Sequence, residues 1–214
     1  MREISYLLVD LDGTLIDVDE GSFVAEYFGK LVDFFKDDFD GIDLVKTVMR
    51  TVEEISKNPD GVTSNYDRFM REFSKRVGVD ARSIGEKFED FYRRVFPSLR
   101  VLVKPRKKVV EKLRVYRKFG VGLVLATNPI FPKVAVLERL SWSGMKPDEF
   151  VLITYMENSK YCKPDCRYFL EICEKVGTTP DQCVMVGNDE LYDGACKKIG
   201  MEYIDVDDFL GEGE

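Results

Sequence analysis

The 214-residue chain has no histidine, one glutamine (Gln182), one tryptophan (Trp142) and no cysteine before Cys162. Lacking an imidazole, it is closed to every mechanism that needs histidine as base, nucleophile or metal ligand. Carboxylates, lysine, hydroxyls, thiols or a hard metal must carry whatever chemistry it performs. Apolar runs reach only five or six residues, as in Val121 to Ala126, against the roughly 20 that a spanning helix needs. No membrane partner is expected. The N-terminus shows no apolar signal core ending in a small-residue cleavage site, which leads us to expect a cytoplasmic protein. The five cysteines (Cys162, Cys166, Cys173, Cys183, Cys196) are odd in number, as befits reduced thiols. Cys162 and Cys166 flank a lysine, and no histidine can complete a zinc set with them.

A basic surplus is also missing. The net charge is −7, which argues against a general nucleic-acid binder. The acidic excess is concentrated in residues 17–60, with 12 acids against five bases, whereas residues 61–103 carry nine bases against six acids. Solvated helical faces account for such runs. Scarce amides with 33% charged residues lean towards a thermophilic source.

Five short, β-branched apolar runs read as buried strands: Ile4–Val9, Val121–Ala126, Phe150–Ile153, Cys183–Val186 and Tyr203–Val206. Helical patterns separate the later ones, over Pro105–Phe119, Lys133–Leu140, Pro164–Val176 and Asp193–Ile199, which implies βαβ units and a parallel sheet. Residues 17–103 show no strand, only four amphipathic helical stretches. The first opens at Ser22, the second spans Ile42–Ile55, and the third opens at Ser64 with Asp67 three residues on as a capping box. The fourth carries Ile84, Phe88, Phe91 and Val95. Together they predict a helical bundle inserted into an α/β unit, with core residues 1–16 plus 104–214 and an insertion at 17–103.

In an open α/β sheet the strands deliver their carboxyl ends to one edge, where ligands bind. Here those ends lead into Asp10-Leu11-Asp12-Gly13-Thr14, Thr127-Asn128-Pro129, Lys163-Pro164 and Gly187-Asn188-Asp189. Strand alternation places Asp10 and Asp12 on one side. Two carboxylates held that close require a proton or a cation between them, and all-oxygen ligation suits Mg²⁺.

With these motifs in this order, the chain resembles the haloacid dehalogenase (HAD) superfamily hydrolases over essentially its whole length. DxDGT appears as Asp10 to Thr14, the strand-end Thr as Thr127, Lys-Pro-Asp as Lys163-Pro164-Asp165, and the acidic motif as Gly187-Asn188-Asp189 with Asp193 following. The resemblance implies a Rossmann-like α/β core whose parallel sheet carries an inserted four-helix C1 cap. It implies Asp10 as nucleophile, Asp12 as general acid and base, and Lys163 as the charge-neutralising catalytic residue. Thr14, Thr127, Asn128 and Lys163 would bind the substrate, and Asp10, Asp12, Asn188 and Asp189 would hold Mg²⁺ with Asp193 behind them. Where many relatives have Gly-Asp-Ser, this chain has Asn188 and then Asp189. A carboxylate is the stronger Mg²⁺ ligand, so Asp189 is the favoured ligand with Asn188 contributing.

The reaction implied is Mg²⁺-dependent hydrolysis of a small phosphomonoester through an aspartyl-phosphate, with a small phosphorylated metabolite as partner and a monomer or homodimer as the assembly. Haloacid dehalogenases and phosphonatases lack an acid at the position of Asp12. A phosphomutase of the β-phosphoglucomutase type is the runner-up, weakened because its cap supplies a histidine. A non-catalytic interaction protein on the same scaffold is a further alternative. A receiver-like signalling domain fits the order of motifs poorly.

Overall fold

The computed structural model of the chain describes residues 4–39 and 41–211. Five parallel strands form the central sheet in the order β5-β4-β1-β6-β7, namely Leu152–Ile153, Gly122–Leu125, Tyr6–Val9, Cys183–Gly187 and Glu202–Asp205. The α/β, Rossmann-like fold is therefore the one expected. β1 lies at the centre because it is buried on both faces. Leu7 and Val9 join one apolar cluster, while Leu8 joins the other with Tyr168, Phe169 and Met185. Val9 pairs with Leu125 on one side and Val186 on the other. This register sets the residues after all three strands side by side at one edge.

Helices α5 (Lys107–Lys118), α6 (Lys133–Ser143), α7 (Cys166–Val176) and the short α8 (Val206–Leu210) accompany the sheet. The segment expected as a helix at Asp193–Ile199 is a 3₁₀ helix over Gly194–Ile199. Between β1 and β4 the chain forms α1 (Glu20–Phe34), α2 (Leu44–Lys57), α3 (Asn65–Val77) and α4 (Ala81–Arg94). Asp19, not Ser22, caps α1, accepting from the Ser22 N–H at 2.8 Å. Ser64 caps α3 as expected and also donates to Asp67. The bundle is held by aromatic rings, with Phe73 fully buried between Phe69, Phe39 and Phe88 at centroid distances of 5.4–5.9 Å.

Two strands went unforeseen. β2 (Ile16–Val18) and β3 (Val103–Pro105) pair antiparallel, Asp17 opposite Lys104, so the helical segment leaves and rejoins the sheet unit through one ribbon. Each strand is three residues long and its partner lies more than 80 positions away, which leaves no periodicity to read. The expected boundaries at 17 and 103 fall on this ribbon.

A buried polar seam joins the helices to the sheet unit. Asn65 donates its backbone N–H to Ser159 O (2.8 Å) and its amide to Pro129 O (3.1 Å). Arg68, 2% exposed, donates to the carbonyls of Ile55, Asn58 and Lys160 and to Asn65 Oδ1. This arginine is thus neither solvated nor offered to an anion, whereas its neighbours Arg71 and Lys75 are exposed and pair with Glu72. Arg68→Met would leave several buried carbonyls unpaired. We expect a loss of about 1–3 kcal/mol of unfolding free energy in a urea titration, with the sheet unit's far-UV signal retained at low denaturant.

Candidate active site

The site is built from loops that follow three adjacent strands. After β1, Asp10 stays in register, its N–H donating to Val186 O at 3.0 Å. The chain then tightens, with Leu11 O accepting from the N–H groups of Leu15 and Ile16. Gly13 takes φ of +72°, and a Cβ there would overlap the Asn188 side chain. A residue with a side chain is excluded on both counts.

Lys163, between β5 and α7, is buried and carries the central contacts. Its Nζ lies 2.8 Å from Asp10 Oδ1 and 2.5 Å from Asp193 Oδ1. Burial alone pushes this ammonium down, but the facing Asp10 and Asp193 carboxylates outweigh it and hold Lys163 above its ordinary range. Asp193 is pushed up to about 6 by burial, with Asp10 adding to the effect and Lys163 opposing it. The Lys163 backbone N–H donates to Asn128 Oδ1 at 3.1 Å. Thr127 is fixed through its carbonyl, which accepts from Tyr168 (2.8 Å) and Thr154 (2.9 Å).

A cavity of about 170 Å³ opens at this edge, bordered by Asp10, Asp12, Thr127, Asn128, Lys163, Asn188, Asp189 and Asp193. Eight of the nine residues proposed from sequence therefore meet there. Thr14 does not. It is fully buried beneath the loop, and its hydroxyl donates to Asn188 Oδ1 at 3.2 Å, so it orients Asn188 instead of facing a ligand. Asp189 borders the cavity with one carboxylate oxygen already engaged. Its Oδ1 accepts the N–H groups of Leu191 (2.8 Å) and Tyr192 (3.0 Å), tying its own turn, while Asn188 packs against Gly13 beside the first loop.

Arg139 is the residue that sequence reading missed. It sits on α6, 3% exposed, and its Nη2 pairs with Asp12 Oδ2. The guanidinium carbon lies 4.9 Å from the Phe131 ring centre, and Nε has no partner among the described residues. Burial lowers Arg139 to about 10, against the pull of Asp10, which leaves it charged at neutral pH. The signal was available: Arg139 interrupts the apolar face formed by Ala135, Val136 and Leu140.

The donor chemistry of the cavity fits Mg²⁺. Its wall holds five acids against two bases, with no thiol or imidazole. Among the described residues no three acidic or cysteine side chains converge as a ready cage. Mg²⁺ does not require one, since it keeps several waters and binds through one or two carboxylates.

A family model described as haloacid dehalogenase-like hydrolase matches residues 4–193. No protein of curated function matches the sequence. Among solved structures, a HAD phosphatase from Thermococcus onnurineus is 24% identical with a TM-score of 0.57, over 94% of this chain and 85% of that one. CbbY from Rhodobacter sphaeroides, solved with phosphate, is 17% identical with a TM-score of 0.61 over 94% and 85%. A 2-haloacid dehalogenase from Pseudomonas syringae pv. Tomato DC3000 is 18% identical, again at 0.61 over 94% and 85%.

Gly187 supplies a structural test of the site. A Cβ there would overlap the Asp193 carboxylate and push it off Lys163. Gly187→Ala is expected to cost about 1–3 kcal/mol in chemical denaturation, the range for overpacking a filled interior.

Proposed function

The chain belongs to the haloacid dehalogenase-like hydrolases, and on that premise we propose that it hydrolyses phosphomonoesters with Mg²⁺ through an aspartyl-phosphate on Asp10. The observation that carries this reading is that Asp10 and Asp12 border one cavity, with the Lys163 ammonium 2.8 Å from the first. Halide displacement from carbon needs a nucleophilic carboxylate but no second acid to protonate a leaving oxygen. The carboxyl of Asp12, fixed at the cavity edge by Arg139, supports phosphoryl transfer over that alternative.

Asp10 Oδ1 is engaged by Lys163, and no hydrogen bond from the described residues reaches Oδ2. Oδ2 attacks phosphorus as the bond to the leaving oxygen breaks. Asp12 gives that oxygen its proton, completing release of the alcohol. Water then attacks the acyl phosphate and Asp12 takes its proton back, freeing inorganic phosphate and Asp10. Lys163, Thr127 and Asn128 stabilise charge on the transferring oxygens. Asp10, the Asp12 carbonyl, Asn188 and Asp189 would hold Mg²⁺, which supplies further neutralisation of phosphoryl charge when bound.

Phosphate release from p-nitrophenyl phosphate is expected with Mg²⁺, lost on chelation and restored by added Mg²⁺. Asp10→Asn should abolish it. Asp12→Asn should lower kcat by about 10²–10⁴, the usual worth of a positioned acid–base group, while inorganic phosphate still binds by calorimetry. If folded protein releases phosphate from none of p-nitrophenyl phosphate, sugar phosphates, phosphoglycolate and nucleotides, the proposal fails.

A further inference from the structure

A second, far larger cavity adjoins the acidic one. It measures about 880 Å³, between the helical insertion and the α6 side of the sheet unit, and shares Asp12, Glu20, Ile130, Phe131 and Arg139 with the smaller cavity. The two spaces therefore meet at the Asp12–Arg139 pair. The smaller is sized for a phosphoryl group, and the larger lies within the range of pockets that enclose drug-sized molecules.

The walls of the larger cavity are chiefly aromatic and aliphatic, with Phe23, Phe69, Phe88 and Phe131 among them. Several of its charged groups are already engaged. Arg93 pairs with Glu89 at 2.6 Å, Arg139 pairs with Asp12, and Glu157 accepts the Lys133 N–H at 2.9 Å. The polar groups left in the interior are few: the Tyr66 hydroxyl, Arg139 Nε and a tyrosine pair. The hydroxyls of Tyr27 and Tyr92 lie 2.9 Å apart, both residues buried. One donates to the other, which leaves the pair a single O–H for an acceptor in the cavity. At the opening, Val24 and Met49 are 48% and 54% exposed.

We propose that this cavity receives the leaving group, and that the substrate is a phosphomonoester of a bulky, mainly apolar alcohol, aryl or branched alkyl, bearing at most a few hydrogen-bonding groups. The inference rests on the phosphatase reading above and adds the substrate class to it. A sugar or a short hydroxy acid would bring several hydroxyls or a carboxylate against a wall that is chiefly aromatic and aliphatic. Burying each such group without a partner is costly. An aryl or alkyl group instead replaces water against the aromatic wall, gaining burial in proportion to its area. Phosphate held beside Asp10 places the ester oxygen at the Asp12 seam and directs the alcohol into the larger space.

The test compares kcat/KM for 2-naphthyl phosphate and glycerol 1-phosphate, and in parallel measures binding of 2-naphthol by its fluorescence. Since a well-fitted apolar pocket discriminates by about tenfold or more for small apolar increments, a naphthyl preference of at least about tenfold is expected. Val24→Trp, which fills the opening from a half-exposed position, should cut that preference several-fold and weaken 2-naphthol binding, with an unchanged melting temperature. Val151→Trp, at an exposed position bordering neither cavity, should leave the preference unaltered. Equal or better turnover of glycerol 1-phosphate, or 2-naphthol binding that Val24→Trp does not touch, would overturn the assignment. Release from neither ester, nor from p-nitrophenyl phosphate, sugar phosphates, phosphoglycolate or nucleotides, while 2-naphthol binds and Val24→Trp weakens that binding, would retain the apolar site and overturn the phosphatase reading instead.

Discussion

The ammonium of Lys163 lies between the carboxylates of Asp10 and Asp193, and the geometry of the strand ends depends on it. Two acids buried this close repel unless a cation separates them, and a buried ion pair persists only when its remaining polar groups are also satisfied. Here Asp193 additionally accepts the Asp189 N–H, and the Lys163 backbone is held by Asn128. One charge thereby draws together the loops after β1, β4 and β6 and the segment leading into α7. Gly187 belongs to the same constraint, because only a residue without a side chain lets Asp193 approach that closely.

Around this centre the molecule separates two kinds of environment. The sheet edge is acidic, oxygen-rich and small. The space under the helices is large and aromatic. Arg139 stands at the boundary, stacked on Phe131 and paired with Asp12, so the residue proposed to exchange protons is fixed where a phosphoryl group would meet its alcohol. The helices are not simply tethered by the β2–β3 ribbon. Asn65 and Arg68 dock them onto the loops at Pro129 and at residues 159–160, which sets the height of the aromatic roof over the edge.

How much of this could be read from sequence follows from what each feature depends on. The inner strands β1, β4 and β6 are continuous apolar runs, and the amphipathic helices repeat over three or four turns; both patterns are local and both were legible. The meeting of Asp10, Lys163 and Asn188 was legible because a parallel sheet sends every such motif to one edge. The ribbon was not, since its two short strands gain meaning only by pairing across the whole insertion. Thr14 illustrates a different limit: its place in the motif suggested a ligand contact, whereas the tight loop turns its hydroxyl to Asn188. Arg68 looks like an ordinary helical base among many, and only burial distinguishes it, whereas Arg139 is marked in the sequence by its place on the apolar face of α6.

The central claim is that Asp10, held by Lys163, becomes covalently phosphorylated. It is tested most directly by quenching the protein in acid during turnover of a phosphomonoester with Mg²⁺, reducing with borohydride and sequencing the peptides by mass spectrometry. The account predicts homoserine at position 10 in place of aspartate and none at positions 12, 189 or 193. Homoserine at any of those other positions, or unmodified Asp10 under conditions of steady phosphate release, would contradict it.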